Sequence, residues 1–193
     1  RIGTVEGYNQ LHLNRLSLFV HEVNPQKGMD LMNVRFRASS DGRGFDVVPH
    51  GSYRERFMLI RSVKVVANGE DAIATINSNQ YNPLVNSVVE GRPELVYGDA
   101  HASSSRHFVD NIKIVSYRPE RIELNVVASA NALLVASEPW FPAWKVFINN
   151  IEKPILRTDF LFRGVEIPEG EHHVVFKYDS RAFNFGWKLS LLF

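Results

Sequence analysis

The residues best equipped for chemistry sit in one short run, Glu138-Pro-Trp-Phe-Pro-Ala-Trp-Lys145, and in the segment Arg157-Thr-Asp-Phe-Leu-Phe-Arg163 beyond it. Indole and phenyl rings offer flat apolar faces on which the C–H surface of a sugar stacks, and flanking prolines stiffen such a loop. Trp140 and Phe141 occupy the middle of the run, where a loop tip tends to be exposed. Exposed there, they would touch glycan, lipid headgroups or a neighbouring membrane domain, with Lys145 close by in sequence. Trp144 opens an alternating strand and is expected to fill core instead. Arg157 and Arg163 suit bidentate contact with an anion such as phosphate, and pairing with Asp159 or Glu166 is the ordinary alternative.

Elsewhere the chain offers little catalytic equipment. His172 and His173 are adjacent, so in a strand they point to opposite faces and do not converge on one metal ion. His101 and His107 lie in a polar stretch with no carboxylate cluster at ligand spacing. Asp99, Asp110 and Glu138 are candidate carboxylates, but spacing sets none of them opposite another as glycosidase chemistry requires. Nucleophile-elbow, dinucleotide, P-loop and zinc-helix motifs are absent, as are cysteines. The expectation is no catalytic residue, no metal and no cofactor.

Composition sets outer bounds. The chain has 193 residues, 45% hydrophobic and 22% charged, enough for one large or two small domains with a real core. A net charge of +1 argues against a strong electrostatic partner such as nucleic acid or an anionic membrane surface. The chain begins at Arg1 and reads as a piece of a longer protein. Residues 183–193 turn apolar, and two readings stand: a final core strand or docked tail, and the first turns of a transmembrane helix with Trp187 and Lys188 as interfacial anchors.

These side chains must be positioned by regular elements. Residues 8–21 carry Leu11, Leu13, Leu16, Phe19 and Val20 on a rough helical stripe, which predicts a helix. Pro25 and Gly28 punctuate the next stretch of chain. Strands are expected at 33–38, 56–60, 63–66 and 87–90, with a short capped helix beginning at Asn68. The polar stretch 97–107 suggests an internal boundary. Beyond it, strands at 112–117, 121–127, 132–137, 144–148, 152–157, 160–166 and 173–178 recur with turn signals about every ten residues. Residues 132–137 are nearly all small and apolar, as in a strand covered on both faces, and Asn149-Asn150 supplies a hairpin turn. The expected fold is α+β, mainly β: an N-terminal α+β segment over 1–98, an antiparallel β-sandwich over 99–182, and the apolar stretch 183–193.

At this point the sequence resembles a known family. Residues 116–186 are similar to the C-terminal region of YfhO-like bacterial membrane proteins. Trp140-Phe-Pro-Ala-Trp-Lys145 stands where that family has a Y-Y-P-G-W-K loop, with Ala143 replacing the usual glycine. Asn149-Asn150 replaces an Asp-Gly turn, and residues 157–172 match the family's tail closely. The N-terminal part resembles it more loosely, through Leu31-Met-Asn-Val-Arg-Phe36 and Arg54-Glu-Arg-Phe-Met-Leu-Ile60. The resemblance implies a polytopic membrane protein built like lipid-linked-sugar glycosyltransferases, whose catalytic acid lies on a loop of the membrane domain and therefore outside this chain.

The expectations are accordingly these. The chain is a non-catalytic extracytoplasmic domain at a bacterial cell membrane, stabilising its own membrane domain or positioning an acceptor cell-surface polymer. The alternative is a carbohydrate-binding β-sandwich module that uses its loop aromatics on a cell-wall glycan or lipid-linked sugar. Whether the parent protein is a glycosyltransferase stays open, and an independent soluble enzyme is the least favoured reading. Candidate contact residues are Trp140, Phe141, Lys145, Arg157 and Arg163.

Overall fold

A computed structural model describes residues 14–40, 44–95, 97 and 109–179. The described residues open with two short helices, α1 (Asn14–Glu22) and α2 (Pro25–Leu31). Asn24 caps α2, its side chain accepting the backbone N–H groups of Gln26 and Lys27, while Pro25 enters the first turn where its missing N–H costs nothing. A two-stranded ribbon comes next, β1 (Phe36–Ser40) with β2 (Phe45–Pro49). After it come β3 (Phe57–Ile60), β4 (Ser62–Val66), α3 (Gly69–Asn77) and β5 (Asn86–Glu90). The regular elements described from residue 109 onward are strands: β6 (Asn111–Arg118), β7 (Arg121–Ala128), β8 (Ala132–Pro139), β9 (Trp144–Ile148), β10 (Ile151–Lys153), β11 (Leu156–Thr158), β12 (Phe162–Ile167) and β13 (Gly170–Tyr178).

The strands form a five-stranded sheet ordered β10-β9-β13-β7-β6 and a six-stranded sheet ordered β3-β8-β12-β11-β5-β4. Every pairing in them is antiparallel except β4 with β5, whose parallel connection runs through α3 as such crossovers require. The fold is therefore α+β and mainly β, with a sandwich-like pair of sheets. Alternation along β7 sends Ile122, Leu124, Val126 and Ala128 inward, where they meet Leu134, Ala136, Val146, Val165, Val174 and Phe176 from both sheets. The hydrophobic effect drives this closure, at about 1.5–3 kcal/mol for each large side chain fully removed from water.

The apolar run of β8 is buried on both faces. Leu134 and Ala136 enter the core between the sheets, while Leu133 and Val135 join Ile60, Val89 and Leu156 on the reverse side. A third cluster ties the helices to the six-stranded sheet. In it Phe19, Leu31, Ala72 and Ile76 pack with Val88 and Phe160–Phe162, and the Phe19 and Phe162 rings meet edge-on at 5.3 Å.

Several local expectations change. Residues 152–157 are two strands, not one: Pro154 and Ile155 carry the chain from β10 in one sheet to β11 in the other. Proline removes a ladder donor and so breaks the run. The strand expected from Phe160 starts at Phe162, because Asp159 (φ 47°) and Phe160 (φ 67°) turn through the left-handed region. Pro25 starts a helix where only punctuation was expected, and β2 was not anticipated. The six-stranded sheet takes β3, β4 and β5 from before residue 98 and β8, β11 and β12 from after it. The division expected at 98/99 therefore does not separate one sheet from the other. Residues 8–13 of the expected helix, nearly all of the 97–107 stretch with Asp99, His101 and His107, and the segment 183–193 lie outside the described residues.

Two substitutions probe this framework. A Cβ on Gly164, in the middle of β12, would sit 2.7 Å from Thr158 Cγ2 and 3.1 Å from the carbonyl oxygen of Leu134. Gly164→Ala is expected to cost about 1–3 kcal/mol in a urea melt, because the neighbouring strand cannot yield without moving backbone. The second concerns Asp110, which receives Arg61 Nη1 and Nη2 at 2.7 and 2.8 Å and the Ser129 N–H and hydroxyl at 2.7 and 2.8 Å. Partial burial raises its pKa, but the Arg61 fork and the two Ser129 bonds outweigh it and hold the carboxyl down to about 2. Its folded pKa thus lies below its unfolded value of about 3.9. The stabilisation is fully present above about pH 4 and is lost as pH falls toward 2. The side chain is 36% exposed, so screening leaves about 1 kcal/mol. Asp110→Asn should lower stability by that amount at pH 7 and converge with the parent near pH 2, read by urea melts across the range.

Candidate functional site

The loop of residues 139–143 carries the chain from β8 in the six-stranded sheet to β9 in the five-stranded sheet. Its anchors are backbone bonds: Trp140 N–H donates to Leu161 O at 2.8 Å, Trp144 N–H to Phe141 O at 3.1 Å, and Asp179 N–H to Ala143 O at 2.6 Å. The last of these, with the Trp144–Tyr178 register, sets the loop against the end of β13. Pro139 and Pro142 leave the bend few alternatives.

The aromatic side chains gather around Tyr178. Phe141, 38% exposed, stacks on the Tyr178 ring at 6.2 Å, and Trp144 meets the same ring edge-on at 5.4 Å. Trp144 is half-buried and packs at the rim of the core between the sheets, close to the core role expected of it. Trp140 is also half-buried, and the Arg157 guanidinium lies over its ring at 4.0 Å. One face of each loop ring is thus already covered by protein. A stack on Tyr178 and a guanidinium over Trp140 each favour a fixed ring orientation.

The five expected contact residues are not one site. Lys145 reaches Glu152 at 3.1 Å on the exposed side of β9 and β10, apart from the loop rings. Arg163 is 1% exposed, beneath Trp144 at 3.9 Å and bonded to Glu138 Oε2 at 2.9 Å. The phosphate contact contemplated for Arg163 is therefore corrected: a guanidinium closed in by Trp144, Phe176 and Glu138 is not presented to a solute. Burial, only partly offset by Glu138, lowers its pKa. Glu138 also accepts from Arg56 at 3.2 Å and from the Tyr117 hydroxyl, so it is a structural acceptor held by three donors.

Asp159 and Glu166, the carboxylates considered for Arg157 and Arg163, serve other partners. Glu166 takes the backbone N–H groups of Glu94 and Leu95 at 2.8 and 2.7 Å and the Tyr97 hydroxyl at 2.8 Å. Asp159 is fully buried and receives Arg54 Nη1 at 2.5 Å, Tyr81 OH at 2.9 Å, the Ser87 hydroxyl at 3.0 Å and Val88 N–H at 2.7 Å.

Arg157 instead lies opposite Glu90 across β11 and β5, its Nη1 3.6 Å from Glu90 Oε2. The same carboxylate is gripped at both oxygens by Arg15 of α1, at 2.5 and 2.8 Å, and Arg15 lies over the Phe160 ring at 4.5 Å. A flank of the domain thus carries, in order, Phe160, Arg15, Glu90, Arg157 and Trp140. Sequence reading missed Arg15, Glu90 and Tyr178. Tyr178 closes the alternating run of β13 and was the most readable of the three.

Among the described residues there is no group of three or more histidine and carboxylate side chains placed to hold a metal ion, and no helix is long and apolar enough to cross a membrane. No protein-family model, no curated protein and no solved structure matches this chain.

Proposed function

We propose that this chain is a non-catalytic, extracytoplasmic sandwich domain of a bacterial membrane protein, and that its loop 139–143 is the surface that meets the parent protein's membrane domain. The observation that carries the reading is the gathering of Phe141 and Trp144 on Tyr178, at the end of β13 where the chain leaves the five-stranded sheet. The sequence beyond that point runs into the apolar stretch Trp187-Lys-Leu-Ser-Leu-Leu-Phe193. A rigid aromatic cluster beside such a connection suits contact with an apolar or interfacial neighbour. Carboxylate geometry supports the non-catalytic part. Glu138 and Asp110 are each committed to arginine and hydroxyl partners.

The alternative, a glycan-binding module, draws on the partial exposure of Trp140 and Phe141. Against it, one face of each ring is occupied, so any sugar would have only the other face or the edges.

A photoreactive phenylalanine analogue at position 141, introduced into the gene in its own host, separates the two. Irradiation is expected to yield a crosslink to a membrane-embedded segment. A crosslink to polysaccharide would replace the reading with the glycan-binding one. Recovery of the uncrosslinked protein in the soluble fraction would overturn the membrane assignment altogether.

A further inference from the structure

We propose that Arg157 and Arg15 form an oxyanion-binding site on the flank of the six-stranded sheet, suited to a phosphate or carboxylate group and walled on one side by Trp140. The inference stands independently of what the loop 139–143 meets. It starts from charge: two guanidinium groups share the single Glu90 carboxylate. Arg15 takes both of its oxygens, at 2.5 and 2.8 Å, and a third bond to Phe160 O at 2.7 Å. Arg157 is left with one loose ion-pair contact, from Nη1 at 3.6 Å, and the exposed part of its side chain lies at hand for a further acceptor.

An under-satisfied guanidinium is costly unless something supplies the missing acceptors. Arg157 has the means to receive it. Its side chain keeps 26% of its surface exposed, and Arg15 keeps 30%, so a solute reaches both. The Trp140 ring at 4.0 Å fixes the guanidinium plane, which reduces the entropy lost when an anion docks on its fork. Burial, and then the neighbouring Arg15 charge, lower the pKa of Arg157, consistent with a local surplus of positive charge. A tetrahedral phosphate or a planar carboxylate bridging the two arginines would relieve that surplus with charge-assisted bonds.

The test monitors the arginine Nε–H and indole N–H resonances of the full chain during titration with inorganic phosphate, glycerol 3-phosphate, glucuronate and uncharged glucose. Saturable shifts of Arg157 Nε–H and the Trp140 indole are expected with the anions and not with glucose. A stronger response to glycerol 3-phosphate than to glucuronate assigns a phosphoester, and the reverse assigns a sugar acid. Arg157→Gln should weaken binding about tenfold or more, whereas Arg121→Gln, whose arginine pairs with Glu123, should leave it unchanged. Glu90→Gln, which removes the competing carboxylate, should tighten binding several-fold and decides the matter if Arg157→Gln fails to fold. Linear shifts of equal size in the parent and Arg157→Gln would mean an adventitious ion only, and an unaltered affinity in Glu90→Gln would equally overturn the proposal.

Discussion

Asp159→Ala is expected to destabilise the domain by about 3–5 kcal/mol, enough to unfold a fraction of it at 25 °C. The residue sits in the turn between β11 and β12, at 0% exposure, and bonds to groups from three separate parts of the chain. Arg54 precedes β3, Tyr81 comes after α3, and Ser87 and Val88 belong to β5. Arg54, 1% exposed, spends its remaining donors on the carbonyls of Pro83 and Asn86, at 2.7 and 2.5 Å, and on the Tyr81 hydroxyl at 3.3 Å. Burial pushes the Arg54 pKa down, but the charge of Asp159 and the bonds from Asp159 and Tyr81 more than reverse this, so it stays charged. The Tyr81 hydroxyl is pushed well up, first by burial and then by Asp159, so it stays a donor.

Removing the carboxylate alone leaves a buried cation without its counter-ion, and takes the acceptor from two hydroxyls, Tyr81 and Ser87, and from the Val88 N–H. The double variant Arg54→Met/Asp159→Leu should recover part of the loss, because it removes both charges together. Urea unfolding monitored by circular dichroism measures both. A single variant within 1 kcal/mol of the parent would show that the network does not hold the turn.

Arg163→Ala is expected to cost about 3 kcal/mol or more. It opens a cavity under Trp144 and takes one donor from Glu138, which keeps Tyr117 and Arg56. Arg163→Met should fall between the alanine variant and the parent, since it fills the volume without the charge. Trp144 reports the change, so its fluorescence should shift to the red at urea concentrations where the parent is still folded. If the alanine variant melts with the parent yet loses phosphate binding, Arg163 is a ligand contact after all.

The two arginines that the sequence set side by side as anion candidates thus part company. Arg157 and Arg163 are direct partners across β11 and β12, six positions apart, with similar neighbours in sequence. What separates them lies elsewhere in the chain. Trp144 and Phe176 of the facing sheet close over Arg163, while Arg157 stands beside Trp140, Glu90 and Arg15.

The sequence by itself determined the features that obey local rules. Alternation placed the inward face of β7, the unbroken apolar run announced that β8 is covered twice, Asn149-Asn150 made the hairpin turn with φ of 50° and 69°, and Asn68 capped α3. Each depends on side-chain period or backbone preference within a few residues. The Asn24-Pro25 start of α2 obeyed the same rules and was readable, but two punctuating residues weighed more than the cap.

Only the tertiary structure decided the partners. The Arg54–Asp159 bond joins positions 105 apart and Arg15–Glu90 joins positions 75 apart. A charged residue's partner is fixed by which strands lie side by side, and strand order depends on packing both faces of a sheet at once. That global condition leaves no mark at the spacing of neighbouring residues, which is why the arginines' partners could not be read from it.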